Sequence, residues 1–286
     1  MLHLLALLGV LTISFSAVFV RLAAVSPVTA TFFRAIYAVP VLGVAWFVQR
    51  STDRRTRRER GLAFGSGVVL AIDLDLWHES IALVGAGLST VIANVQVVFV
   101  AAAAWILYGE KLSAPRVLLI GIVLAGVALS SGLGRPDAYG TRPVAGAVLA
   151  VLGGLAYAVF LLFYREANRP TGSSVGPLLD STIGVAIGAV ASIPFDPQFT
   201  LAPPHAAQLW LVLLAIGPQA IGWLLIGIAL PKLPAIETSV LLVGQPVITV
   251  IWGVLLFSER LSAVQWIGSA VVLAGVAVLA CRAEAR

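Results

Sequence analysis

Residues 89–130 read STVIANVQVVFVAAAAWILYGEKLSAPRVLLIGIVLAGVALS, an uncharged run to Tyr108, a polar turn at 109–114 and a second apolar run. The pattern returns at a constant offset of 149 residues. Gln96 is matched by Gln245, Glu110-Lys111-Leu112-Ser113-Ala114 by Glu259-Arg260-Leu261-Ser262-Ala263, and Leu124-Ala125-Gly126-Val127-Ala128 by Leu273-Ala274-Gly275-Val276-Ala277. Register held across two hydrophobic segments and the turn between them predicts two copies of one unit of about 140–150 residues. The first unit covers 1–134 and the second 144–281. Ser131 to Pro143, rich in Gly, Pro and charge, is the surface link between them.

Working outward, the chain of 286 residues is 60% hydrophobic and only 11% charged, with a mean hydropathy of +1.02. Soluble domains carry about 25% charge. Lipid is therefore the expected solvent. A spanning helix needs about 20 mostly apolar residues, and ten stretches qualify: 3–23, 28–48, 61–82, 86–108, 115–133, 144–164, 177–195, 207–230, 234–257 and 262–281. The first resembles a signal peptide in apolarity but lacks a basic leader region, so it is read as a retained span. The expected fold is an all-α membrane protein of ten transmembrane helices in two five-helix repeats. An odd number of spans per repeat makes the second enter the bilayer from the opposite face, so the repeats are inverted.

The net charge of +5 arises largely from Arg50, Arg54, Arg55, Arg57, Arg58 and Arg60 between two spans. No aromatic platform interleaves them, which argues against nucleic acid as partner. A basic loop held in the cytoplasm accounts for them. With both termini cytoplasmic, thirteen of the 18 Lys and Arg lie inside and four, Arg21, Arg135, Arg142 and Arg260, lie outside, with Arg34 within span two. That bias sets the topology and an inner, cytoplasmic-membrane location. The one cysteine, Cys281, excludes an internal disulfide. No cofactor motif is present, and no residue pattern specifies an oligomeric state.

Ionisable groups within a span cost about 2.5–3.5 kcal/mol each on insertion scales and mark function by default. Span three holds Asp73, Asp75, His78 and Glu79. Asp75 and Glu79, four apart, share a helix face with His78, whereas Asp73 shares its face with Trp77. Arg34 reaches the depth of Glu79, which makes Arg34–Glu79 a candidate ion pair. His78, Glu79, Asn94, Gln96, Gln219 and Gln245 are the candidate polar lining of a substrate cavity, with Trp77 and Tyr157 as apolar walls. His78, with access from outside, is a candidate proton carrier. The repeat-related Gln96 and Gln245 offer donors and acceptors without charge, which suits a zwitterion that must be released again. Pro218, in Gly217-Pro218-Gln219, and Pro246 each remove a helical hydrogen bond and are expected as gating kinks. Gly121, Gly126, Gly268 and Gly275 permit close helix approach.

Ten spans in two halves, each with a glutamate-containing turn before its last span and a Leu-Ala-Gly-Val-Ala stretch within it, resemble the drug/metabolite transporter superfamily with paired EamA-type domains. Size, topology and Asn94 followed by Gln96 are similar to the amino-acid exporters of the YddG type. The resemblance implies export of small metabolites, amino acids foremost, aromatic or broad in range, by alternating access. Val95, Gln96 and Val97 stand where aromatic-amino-acid exporters would carry aromatic residues, which points away from an exclusively aromatic substrate.

No phosphate-binding Gly-x-x-x-x-Gly-Lys-Ser/Thr loop occurs, so ATP does not drive the chain directly. The rival class is an intramembrane enzyme in which Asp73 and Asp75 hold a metal for lipid modification. His78-Glu79 begins a zinc motif that fails at Ala82. No metal site and no enzymatic activity are expected.

Overall fold

The structure, a computed structural model, describes residues 2–108, 114–167, 175–229 and 235–283. Among them every regular element is helical: α1 Leu2–Ala23, α2 Pro27–Gln49, α3 Arg57–Val84, α4 Ala86–Ala93, α5 Gln96–Tyr108, α6 Ala114–Ser130, α7 Pro143–Ala167, α8 Val175–Ser192, α9 His205–Leu214, α10 Trp223–Ala229, α11 Ala235–Phe257 and α12 Ala263–Ala283. Each of the ten expected stretches is helical over most of its length, two of them with an interruption. Helices α4 and α5 are parted at Asn94 and Val95, and α9 runs into α10 through a π-helical segment, Ala215–Gly222, that contains Pro218. Among the described residues, six helical segments are long and apolar enough to cross a membrane: Leu2–Ala23, Pro27–Thr52, Ala86–Ala103, Pro143–Ala167, Val175–Phe195 and His205–Ile228. The turn expected at 110–113 lies outside the described residues.

Helix starts follow local chemistry. Ser26 Oγ accepts from Thr29 N–H (3.4 Å) and Pro27 opens α2, a position where its missing N–H is no loss. A capping box starts α3, with Glu59 N–H donating to Thr56 Oγ1 (3.2 Å) and Thr56 N–H to Glu59 Oε2 (2.6 Å). Helix α4 has no local side-chain cap, because Gly85 at φ +86° turns the chain sharply off α3. Its first amides are met from across the bundle. Ala86 N–H (2.7 Å) and Gly87 N–H (3.2 Å) donate to the fully buried Glu259 carboxylate between α11 and α12, which also pairs with Arg21 of α1.

Helix α3 packs on α7 and α8, and the α9–α10 rod packs on α1 and α2. Helices α4 and α5 lie on α7, α11 lies on α1, and α2 meets α8, α4 meets α11 and α6 meets α12. The α6–α12 contact is close because a Cβ at Gly268 would stand 2.6 Å from Ser130 N and one at Gly275 2.6 Å from Val123 Cγ2, whereas Gly121 faces open space. Large apolar side chains point outward all along the bundle, Val48, Ile106, Leu118 and Leu255 among them, the pattern of a surface that faces acyl chains.

The basic α2–α3 connection is more than a solvated loop. Asp53 accepts from Trp46 Nε1 (2.7 Å), Arg55 Nε (2.9 Å) and Arg55 Nη2 (3.0 Å), and Arg55 pairs with Asp180 of α8 (2.8 Å). The Arg55 guanidinium bonded to Asp53 holds its carboxyl well below the usual carboxylate range.

Candidate functional site

Where α1, α2, α3, α4, α5, α7, α10 and α11 converge lies a cavity. The space in it open to the centres of water molecules is ≈ 110 Å³, several times the roughly 10–15 Å³ that one water needs. Trp77, Asn94, Gln96, Tyr157 and Gln245 of the expected set line it, and so do Arg34, Asp73, Thr90 and Trp223. The repeat-related glutamines thus reach one space. Asn94 sits in the break between α4 and α5, with its Nδ2 donating to Thr90 O (2.8 Å). Helix α7 approaches this break over Gly154, where a Cβ would come 2.7 Å from Ala93 O. Behind the aromatic wall, Phe160 packs edge-on to Trp223 (centroids 6.1 Å, 87°) and against Tyr157 (5.3 Å).

The remaining expected residues are placed elsewhere. Gln219 lies behind the wall, 1% exposed, where its Oε1 accepts from Arg34 Nε (2.7 Å) and its Nε2 donates to Thr182 Oγ1 (3.1 Å). Arg34 also donates from Nη1 to Ser16 Oγ (2.9 Å). Its partners are therefore Gln219 and Ser16, and the Arg34–Glu79 pair does not form. Glu79 is exposed at the rim of two recesses nearer the ends of α2 and α3, one shared with Arg21, His78 and Tyr139 and the other with Asp75, Ser192 and Asp196. His78 is buried, its Nδ1 within 3.2 Å of Thr31 Oγ1 and 3.3 Å of Pro27 O, so it packs against α2 and borders the first recess instead of the cavity. Pro246 is buried within α11, which stays helical through it.

The physical reason is the rotation of α3. Leu70, Asp73, Leu74 and Trp77 form one i, i+3, i+4, i+7 stripe and face the cavity. Ile72, Asp75, Leu76 and Glu79 form the neighbouring stripe and face the second recess. Asp73 and Asp75 consequently open into different spaces, and the metal-holding aspartate pair of the enzyme reading is not assembled. Among the described residues no cluster of three or more His, Cys, Asp or Glu is placed to hold a metal ion. Arg34 and Asp73 are the charged residues that the expected lining lacked. The signal for Asp73 was its position four before Trp77; that for Arg34 was a charge within a span, but its partners come from α1 and from the π-helical segment before α10.

Known proteins bear on this geometry. A model of the EamA-like transporter family matches residues 1–132 and 144–281. An "Uncharacterized transporter" of Archaeoglobus fulgidus is 25% identical over 262 residues, 92% of this chain and 90% of that one. The "Uncharacterized protein PA1977" of Pseudomonas aeruginosa is 28% identical over 197 residues, 68% of this chain and 64% of that one. One crystal structure aligns with a TM-score of 0.66 over 100% of this chain and 99% of its own at 20% identity, a likeness of fold alone. With both halves matched, the chain belongs to the EamA-like transporter family of the drug/metabolite superfamily.

Proposed function

We propose that the protein is an inner-membrane secondary or facilitative transporter that exports small metabolites, amino acids foremost, by alternating access to the central cavity. The observation that carries this reading is that Gln96 and Gln245, 149 residues apart and equivalent in the repeat, line one cavity at the junction of the two halves. Uncharged amides at equivalent positions can be presented alternately to either side without moving charge through the bilayer.

The reading takes the helices as ten spans, five in 1–134 and five in 144–281, inverted with both termini cytoplasmic. Its support is a set of contacts that recur between equivalents: α3 on α8 as α9–α10 on α2, α4 on α7 as α11 on α1, and the equivalent pairs α2 with α8, α4 with α11 and α6 with α12. Pro218 in its π-helical segment and the break at Asn94 are the bending points. The test is counterflow in proteoliposomes with a panel of labelled amino acids and related metabolites. Flux should fall at least tenfold in a Gln96→Ala, Gln245→Ala double variant; undiminished flux removes the cavity from the pathway.

A further inference from the structure

We infer that the recess shared by Arg21, His78 and Tyr139 is the vestibule through which cargo leaves the central cavity, and that Val20, Trp77 and Ile81 form the gate between the two. The inference rests on the transport reading above and on its orientation, in which this end of the bundle faces outward. It adds the exit route.

The two spaces are stacked along the same helices. On α1, Ile13 and Ser16 line the cavity and Val20 and Ala24 the recess; on α3, Asp73 and Trp77 line the cavity and Ile81 and Ala82 the recess. One step of four residues, about 6 Å of helix, therefore carries each wall from one space to the next. Helix α4 runs the same way, from Thr90 in the cavity to Gly85, before its first turn, in the recess. The space in the recess open to the centres of water molecules is ≈ 460 Å³, more than that of the cavity, so it has room for what the cavity releases.

What separates the two spaces is apolar. Val20, Trp77 and Ile81 are buried in one cluster with Ala17, Leu74 and Ala86. Polar groups stand on either side of this layer, Asp73 and Thr90 in the cavity and Arg21, Glu79 and Tyr139 in the recess. A hydrophobic constriction of this kind shuts out water and ions by dewetting. Its walls belong to different packed groups, since α3 is anchored to α7 and α8 whereas α1 is anchored to α11 and the α9–α10 rod, and α1 and α3 touch only sparingly. The layer opens where those groups part.

The outer rim is the link between the halves. Tyr139, Gly140 and Thr141 border the recess. Thr141 N–H donates to Leu83 O (2.9 Å) and Tyr139 N–H to Gln265 Oε1 of α12 (2.8 Å). The mouth is thus braced, and the apolar layer beneath it is the part left to move.

The experiment places single cysteines in the full-length Cys281→Ser protein, labels them in intact cells with a membrane-impermeant maleimide and measures flux after reconstitution. Ala82→Cys lies in the recess and Gln198→Cys in the one beside it. Both should label from outside; flux should fall about tenfold on labelling the first and stay unchanged on labelling the second. Thr90→Cys, in the cavity, should label about tenfold faster once Val20→Ala and Ile81→Ala thin the layer. Should that double replacement not fold, Ile81→Val should still speed the labelling severalfold. Undiminished flux after labelling Ala82→Cys, or a Thr90→Cys rate that ignores the thinned layer, overturns the inference; the transporter stands if flux still depends on Gln96 and Gln245. Labelling of Ala82→Cys from the cytoplasmic side alone overturns it together with the orientation. Flux that does not depend on those glutamines removes the transport reading and the exit route with it.

Discussion

Replacing Gln219 with Ala strips the buried Arg34 guanidinium of its Nε acceptor. An unsatisfied buried donor costs about 1–3 kcal/mol, so the thermal midpoint of the purified variant should drop by several degrees. Apparent substrate affinity should fall as well, since Arg34 lines the cavity and loses an anchor; an unchanged affinity would leave Arg34 a packing residue. His78 is the contrasting residue. Its ring lies against Thr31 and the Pro27 carbonyl, away from the cavity wall. His78→Gln should therefore keep the wild-type pH profile of flux between pH 5 and 8, and a lost pH dependence would return this residue to the mechanism. Glu79, exposed at a rim, is expected to tolerate Gln with flux intact.

Among elements, α6 and α12 allow a paired comparison. Gly268→Ala places a Cβ 2.6 Å from the Ser130 backbone, whereas Gly121→Ala enters open space. Overpacking costs about 1–3 kcal/mol, so the first should be destabilised and the second neutral in unfolding followed by fluorescence. The clamp from the α2–α3 connection to α8 has a pH signature. The lowered Asp53 carboxyl means that the folded state binds its proton less readily than the unfolded chain does. Its stabilisation is then fully present above the unfolded value of 3.8 and is lost as pH falls below it. Breaking a buried pair costs about 3–5 kcal/mol. Asp53→Asn should be less stable than wild type near neutrality by that order, with the gap closing toward pH 3. A gap that widens in acid contradicts the sign.

For the whole molecule, Glu259 ties the α11–α12 turn of one half to the start of α4 and to Arg21 of the other. Any motion that separates the halves at that end must release these bonds. Burial pushes the Glu259 carboxyl up while the two amides and Arg21 draw it down, and burial prevails. Glu259→Gln removes the charge on which Arg21 and the α4 amides converge. It should raise labelling of a cysteine placed at Tyr139 by an impermeant maleimide, because this end then opens more often; unaltered labelling would make the contact purely structural. The same reagent tests the inverted arrangement. Cysteines at Ser113 and Ser262 should label from opposite sides of intact cells.

The residues alone determined that the chain lives in lipid, that its helices begin and end nearly where they do, and that Gln96 and Gln245 are equivalent. Each of these depends on local apolarity, capping chemistry or repetition, which are written along the chain. The two stripes of α3 were also legible, Asp73 with Trp77 and Asp75 with Glu79, because helical periodicity is local. Which stripe faces inward was decided only in three dimensions. The more heavily charged stripe costs more to place in a membrane, yet packing on α7 and α8 turns it toward the recess and leaves Asp73 in the cavity. The partner of Arg34 was likewise beyond reach of the sequence. It is Gln219, 185 residues away, brought in by the π-helical segment between α9 and α10, and a distance of that kind is settled by packing between helices and by nothing within either one.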